Sequence, residues 1–297
     1  MATYSLSCGL FIFDQENNPT GDPVAALESI AAAGFRETEL MAEGEAWHVP
    51  SSHDTRKFHV ALERLGIFPR TIHTSWNDAH FKSGLNLASS DEEIRRDGIA
   101  RIADQMRFLA ELGGRMAIVH PTGKPRPGEP AYALENIGTA MEYIYQSVSE
   151  LINVAEETGV RILLENLEYT GMVCRPLLSM QELRAFIADF PPEHMGLCLD
   201  TGHALGSGLD PAEQARVASE RLCALHIQDV DGQTDCHWVP GRGVIDWSSL
   251  GAALSDIDFD GAWTIEPLSA HANATAEKVA AECATLRERW EASGMSN

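Results

Sequence analysis

Positive charge is scarce in this 297-residue sequence: 22 Lys and Arg stand against 44 Asp and Glu, a formal net charge of −22. A surface of that sign repels phosphate backbones and anionic membranes at range, which counts against nonspecific binding to either. Long hydrophobic runs are missing too. No stretch approaches the ~20 consecutive apolar residues that span a bilayer, and the N-terminal Met-Ala-Thr-Tyr-Ser offers no basic flank before an apolar stretch, so no secretory signal is expected. Cys8, Cys174, Cys198, Cys223, Cys236 and Cys283 are scattered without a Cys-x-x-Cys. That excludes a zinc ribbon and a disulfide framework, and it fits the thiols of a reducing, cytoplasmic compartment. There is no Gly-x-Ser-x-Gly elbow and no Gly-x-x-x-x-Gly-Lys-Ser/Thr phosphate loop. Nor does a Pro- or Gly-rich linker divide the chain. Lys124-Pro125-Arg126-Pro127-Gly128 is a stiff loop inside one unit, so residues 1–297 read as a single domain.

What is present is ordinary globular composition, 44% hydrophobic and 22% charged, which excludes a disordered chain. Short apolar runs at residues 4–8, 35–40, 67–73, 115–120, 161–165, 194–200, 222–227 and 262–266 predict strands. Amphipathic stretches between them predict helices at 24–33, 55–65, 131–158, 179–189, 211–220, 247–255 and 275–292. A further long helix begins at the capping-box-like Ser90-Asp91-Glu92-Glu93 and ends at Leu112. Gly34, Gly66 and Gly113 follow their helices as natural stops. Eight strands alternate with eight helices at roughly 30–45 residues per repeat, the scale of one parallel βαβ unit. The pattern suits an α/β fold, a single (β/α)8 TIM barrel. A doubly wound sheet would carry a glycine fingerprint after its first strand, and Cys8-Gly9-Leu10-Phe11 is not one.

In such a barrel the chemistry gathers at the carboxyl ends of the strands. Those ends are not random here. The fifth strand ends in Glu165, the sixth in Asp200, the seventh in His226 and the eighth in Glu266, while the third and fourth add His73 and His120. Ionisable groups at the ends of apolar strands are costly to leave unpaired, and a divalent cation resolves that cost. Two Glu, one Asp and one His make an N/O ligand set for Mn, Mg, Co or Zn, with no soft sulfur ligand. His203, three residues beyond Asp200, lies within reach of the same mouth. The segment from Asp235 through His237, Gly241, Arg242 and Gly243 to Asp246 brings a further acid and imidazole as possible extra ligands.

Leu164-Glu165-Asn166, Leu199-Asp200-Thr201-Gly202-His203, Leu225-His226-Ile227, the Asp235-x-His237-x-x-x-Gly241-x-Gly243 loop and Thr264-Ile265-Glu266-Pro267 resemble, in this order, the xylose-isomerase-like TIM-barrel superfamily. That superfamily includes sugar isomerases and epimerases, inosose dehydratases and endonuclease IV-type abasic-site nucleases. The resemblance implies one divalent cation held by Glu165, Asp200, His226 and Glu266, no organic cofactor, and His203 against a small sugar or polyol substrate. Glu165 and Glu266 would then move a proton at the carbon beside a carbonyl through an enediolate. The nuclease branch holds three zinc ions on nine ligands, and His73, His120, Glu165, Asp200, His203, His226, Asp235, His237 and Glu266 supply candidates for all nine. Against that branch stands the acidic charge, since a duplex-gripping surface is rich in Lys and Arg. A sugar isomerase or epimerase is therefore expected, with no nucleic-acid partner. The zinc-dependent phosphodiester hydrolase and the inosose-type dehydratase are the alternatives.

Other residues complete the expected pocket. His73, His120, Trp76 and Arg242 are substrate-binding candidates, Arg242 for a phosphate or carboxylate. Trp47 and Trp238 would line the mouth beside Trp76 or cap the barrel. Glu39, at the end of the second strand, would bind a substrate hydroxyl or form a structural ion pair. Members that epimerise free ketohexoses place an arginine shortly after the strand-seven histidine. Here Ile-Gln-Asp-Val-Asp-Gly follows His226, which counts against that substrate. The long Ala-rich helices fit the outer ring of a barrel and equally a homo-oligomer contact.

Overall fold

Eight short runs form the strands: β1 (Tyr4–Ser7), β2 (Glu37–Met41), β3 (Phe68–His73), β4 (Met116–Val119), β5 (Arg161–Glu165), β6 (Met195–Asp200), β7 (Leu222–Ile227) and β8 (Ala262–Ile265), the later ones the richer in Ile, Leu, Val and Ala. All pair in parallel with their sequence neighbours, and β8 closes on β1 through Ser5 opposite Thr264, giving a closed eight-stranded barrel. The structure, a computed structural model, describes residues 4–14, 16, 18–42, 52–75, 86–123, 136–168, 175–272 and 274–293. Trp47, Trp76, Cys174 and the Lys124–Gly128 loop lie outside the described residues.

The connecting helices are α1 (Gly9–Ile12), α2 (Pro23–Ala32), α3 (Ser52–Leu65), α4 (Glu92–Glu111), α5 (Ile137–Thr158), α6 (Met180–Phe186), α7 (Thr201–Gly206), α8 (Pro211–Ala218), α9 (Trp247–Asp256), α10 (Ser269–Ala272) and α11 (Ala276–Ser293). Local chemistry explains their ends. Asp22 and Asp210 each cap a helix whose first residue is proline, where the missing N–H is no loss. Ser179 and Glu182 form a reciprocal capping box on α6. The cap of α4 is Asp91 rather than Ser90. After α5, Gly159 turns left-handed (φ 68°) while its N–H bonds to Ala155 O, a conformation that costs other residues more. The short α1, α7 and α10 are not expected from periodicity, because four to six residues show too little of a helical period. No helix among the described residues is long and apolar enough to cross a membrane.

Side-chain alternation along the strands sorts the barrel into two environments. One parity packs outward against the helices in the main core, including Val119, Leu164, Leu197, Leu199, Leu225 and Ile265. The other parity fills the lumen. Ile118, Leu163, Cys198 and Ala224 form a separate small apolar cluster there. Two residues further along each of those strands come His120, Glu165, Asp200 and His226, which the same alternation directs into the mouth. The lumen beside β8, β1 and β3 is lined differently: Ser5 and Thr264 share a 2.8 Å hydroxyl contact, and Thr71 lies two residues before His73. No disulfide joins the described cysteines. Burial pushes the Cys8 and Cys198 thiols up to about 12, which keeps them protonated and unreactive near neutral pH.

Candidate metal centre

At the carboxyl end of the barrel the strands bring nine acid and imidazole side chains together. Four groups each have ligand atoms within 4.8 Å of one another: Glu165, Asp200, His226 and Glu266; His73, His120 and Glu165; His73, His226 and Glu266; and, sharing no residue with these three, His203, Asp235 and His237. Glu165 is the hinge of the arrangement. It is 1% exposed, with Oε1 2.9 Å from His226 Nδ1 and Oε2 3.1 and 3.4 Å from the Nε2 atoms of His120 and His73. Glu266 Oε2 lies 3.3 Å from the same His226 Nδ1.

Four of the five imidazoles, those of His73, His203, His237 and His226, are oriented from behind. His73 Nδ1 lies 3.0 Å from Thr74 O, His203 Nδ1 2.9 Å from Asn166 O, and His237 Nδ1 2.9 Å from Glu266 O. In each case a ring N–H donated to the carbonyl leaves Nε2 facing the carboxylates. His226 is turned the other way, with Nε2 3.0 Å from Glu39 Oε2 and Nδ1 among the candidate ligands. Asp200 is held by its neighbours as well. Its Oδ1 caps α7 by accepting from His203 N at 2.7 Å, and Asn166 pairs with its backbone in both directions.

The loop carrying Asp235 and His237 is fixed by two residues that sequence reading missed. Gln228, fully buried, donates through Nε2 to both Asp200 oxygens and to Asp235 Oδ1, and accepts from His237 N through Oε1. Asp229 accepts from the backbone of Val230, Gly241 and Ile245 and from Trp247 Nε1. The available signal was parity: Gln228 stands two residues beyond His226, just past the end of β7. Gly202 makes room for it, since a Cβ there would lie 2.4 Å from Gln228 Cδ. Gly202→Ala is expected to displace the Gln228 amide and weaken metal binding about 10-fold, measurable by competition against a chromophoric chelator.

The charges in this cluster are set by competition. Burial lowers the pKa of His226, but the surrounding acidic groups outweigh it and hold the imidazole well above its ordinary value. The same balance holds His203 well above its ordinary value and His237 at about 10. For His120, burial outweighs the opposing pull of Glu165 and, with the neighbouring His73 and His203, carries the imidazole down to about 4. For Glu165, burial is outweighed by His226 and His120, which hold the carboxylate well below the usual range. Glu266 goes the other way, up to about 7, through burial reinforced by Glu39 and Glu165. The metal-free centre thus holds protons on imidazoles that a cation must displace. Zn2+ titrated calorimetrically in buffers of different ionisation enthalpy is expected to show net proton release, with apparent affinity falling as pH is lowered.

A divalent cation fits the donor set. The ligand atoms are hard carboxylate oxygens and borderline imidazole nitrogens with no thiolate among them. Glu165 Oε2 is buried without accepting a hydrogen bond, which leaves an anionic lone pair directed into the cluster.

Other expected residues fall elsewhere. Arg242 is not at the mouth: it is bound to Glu282 of α11, Nη2 to Oε1 at 2.6 Å, because the turn at Gly241 directs it outward. The guanidinium that the sequence offered to a substrate phosphate or carboxylate is thus engaged by a carboxylate of the chain itself. Glu39 is not a mouth residue either; it is 0% exposed behind His226, too deep for a substrate hydroxyl. Trp238 is half-buried and packs with Val230, Cys236 and Ile245.

Comparison with known proteins places the arrangement in a class. Residues 27–289 match the family described as "Xylose isomerase-like TIM barrel", and the chain belongs to that family. Within it, the chain is 29% identical over 192 residues to the D-psicose 3-epimerase of Enterocloster bolteae, covering 61% of this chain and 58% of that protein. It is 30% identical over 250 residues to a probable endonuclease 4 of Oleidesulfovibrio alaskensis, covering 78% and 79%. The crystal structure of a D-tagatose 3-epimerase-like protein superposes with a TM-score of 0.77 at 23% identity, over 97% of each chain, a likeness of fold.

Proposed function

We propose that this protein is a divalent-metal-dependent enzyme that isomerises or epimerises a small sugar, sugar phosphate or related polyol through an enediolate, within a single domain. The observation that carries the reading is the placement of Glu165 and Glu266 on His226 Nδ1, at 2.9 and 3.3 Å, with Asp200 in the same group. The cation, when bound by Glu165, Asp200, His226 and Glu266, supplies Lewis-acid stabilisation of developing negative charge and a fixed orientation for neighbouring sugar oxygens. Glu266, held at about 7, is poised between its two protonation states near neutral pH and suits a group that takes up and returns a carbon-bound proton. Glu165, held ionised, is the second carboxylate. Proton transfer involving both gives an epimer, and shuttling by one between adjacent carbons gives an aldose–ketose isomer. His203, 6% exposed and oriented by Asn166, is a substrate contact, with His73 and His120 beside it. The epimerase relative and the epimerase-like fold neighbour support the same chemistry.

A second reading, zinc-dependent phosphodiester hydrolysis, is favoured by one specific observation: all nine expected ligands fall within the four groups. The endonuclease relatives support it, and the net charge of −22 opposes it. Two measurements separate the readings. The first is metal content per chain. The second is hydrogen exchange in deuterated water across a panel of free and phosphorylated ketoses, set beside cleavage of an abasic-site duplex. Incorporation of deuterium at a sugar carbon without duplex cleavage is the expected result. Cleavage with three bound zinc ions and no exchange would overturn the isomerase reading.

A further inference from the structure

We infer that Glu39 is the residue that positions His226 as a metal ligand, by accepting the Nε2 proton and so turning the Nδ1 lone pair toward Glu165 and Glu266. This rests on the metal-dependent reading above and adds to it a partner from β2, the strand next to β1 that supplies none of the grouped ligands.

Three features support it. Glu39 is fully buried, and its Oε2 takes two partners at once, His226 Nε2 at 3.0 Å and the Thr71 hydroxyl at 2.9 Å, so its direction is set from two sides. The His73 ring stacks on His226 with centroids 5.5 Å apart and planes 17° apart, which restrains the imidazole from turning over. His73, His203 and His237 each have a neutral backbone carbonyl behind Nδ1, whereas His226 has a carboxylate behind Nε2. A charged acceptor makes the stronger hydrogen bond and increases electron density on the opposite ring nitrogen. The carboxylate thereby strengthens His226 as a donor at the nitrogen shared by both proposed acid–base carboxylates. Glu39 itself reaches neither substrate nor cation; it acts through His226.

The test uses the full chain and Zn2+ alone, so no substrate is needed. In protein labelled with 15N-histidine and loaded with Zn2+, long-range 1H–15N correlation is expected to show His226 protonated at Nε2 and bound to zinc through Nδ1. Glu39→Gln keeps an acceptor but removes the charge, and is expected to weaken Zn2+ binding about 10- to 100-fold. Thr71→Val keeps the charge and frees one side of Glu39, and is expected to give a smaller loss with the same tautomer. Should Glu39→Gln not fold, the wild-type tautomer and the Thr71→Val affinity still decide. Unchanged Zn2+ affinity in both variants, or a His226 proton found on Nδ1, would overturn the role of Glu39 while leaving the metal-dependent reading intact. Failure of the wild-type protein to bind any divalent cation would overturn both.

Discussion

Glu266→Gln is expected to lower turnover by about 10²- to 10⁴-fold, the range associated with losing one positioned acid–base group. The substitution keeps an oxygen where the ligand atom stood and removes the ability to hold and return a proton. Its effect should therefore exceed any loss of bound metal, and the two are separated by measuring metal content beside kcat at saturating metal, on the sugar found by deuterium exchange. Solvent exchange should fall with turnover, because both need the same proton transfer. Near-normal exchange in a variant that retains its metal would remove Glu266 from the chemistry and leave it as a ligand only. Glu266 owes this position to burial, which raises its pKa to about 7, and to Glu39 and Glu165, whose charges push in the same direction.

Glu165→Gln should damage the centre more broadly. Glu165 belongs to two groups, one with His73 and His120 and the other with Asp200, His226 and Glu266. Losing its charge removes the counterpart of three imidazoles within 3.4 Å. In the wild-type protein, free metal at about a thousand times Kd should add about 4 kcal/mol to stability. In the variant most of that increment should vanish, visible as a reduced metal-induced rise in Tm. An undiminished rise would mean that the cation is held elsewhere.

The alternation of strands and long helices was legible because these elements announce themselves locally, which the four- to six-residue α1, α7 and α10 do not. The eight apolar runs, the helices closed by Gly34, Gly66 and Gly113, and the helix start at Ser90-Asp91-Glu92-Glu93 all express preferences that a few neighbouring residues satisfy. The candidate ligands were legible for a related reason. An acid or imidazole closing a Leu- and Ile-rich strand is out of character for a core position, and Glu165, Asp200, His226 and Glu266 recur at the same point of successive units. The misreadings have a common source in long-range geometry. Arg242 sits between glycines in a loop rich in polar residues, and only the fold shows that its carboxylate partner comes from α11, 40 residues away. Gln228 looks like a neutral residue after a strand until its amide is seen to join Asp200 to Asp235.

By itself the chain of residues determined the alternation of strands and helices, the parity that sends one side chain in two into the lumen, and the set of acids and imidazoles that parity delivers to the rim. These follow from backbone periodicity and hydrophobic burial, which act over a few residues. The tertiary structure alone decided which nitrogen of each imidazole faces the centre, that Glu165 is shared between two groups, and that Glu39 stands behind His226 rather than beside a substrate. Those outcomes depend on closing the barrel. Hydrogen-bond direction and charge coupling are set over about 3 Å between residues such as Glu39 and His226, 187 positions apart, a separation that no local preference spans.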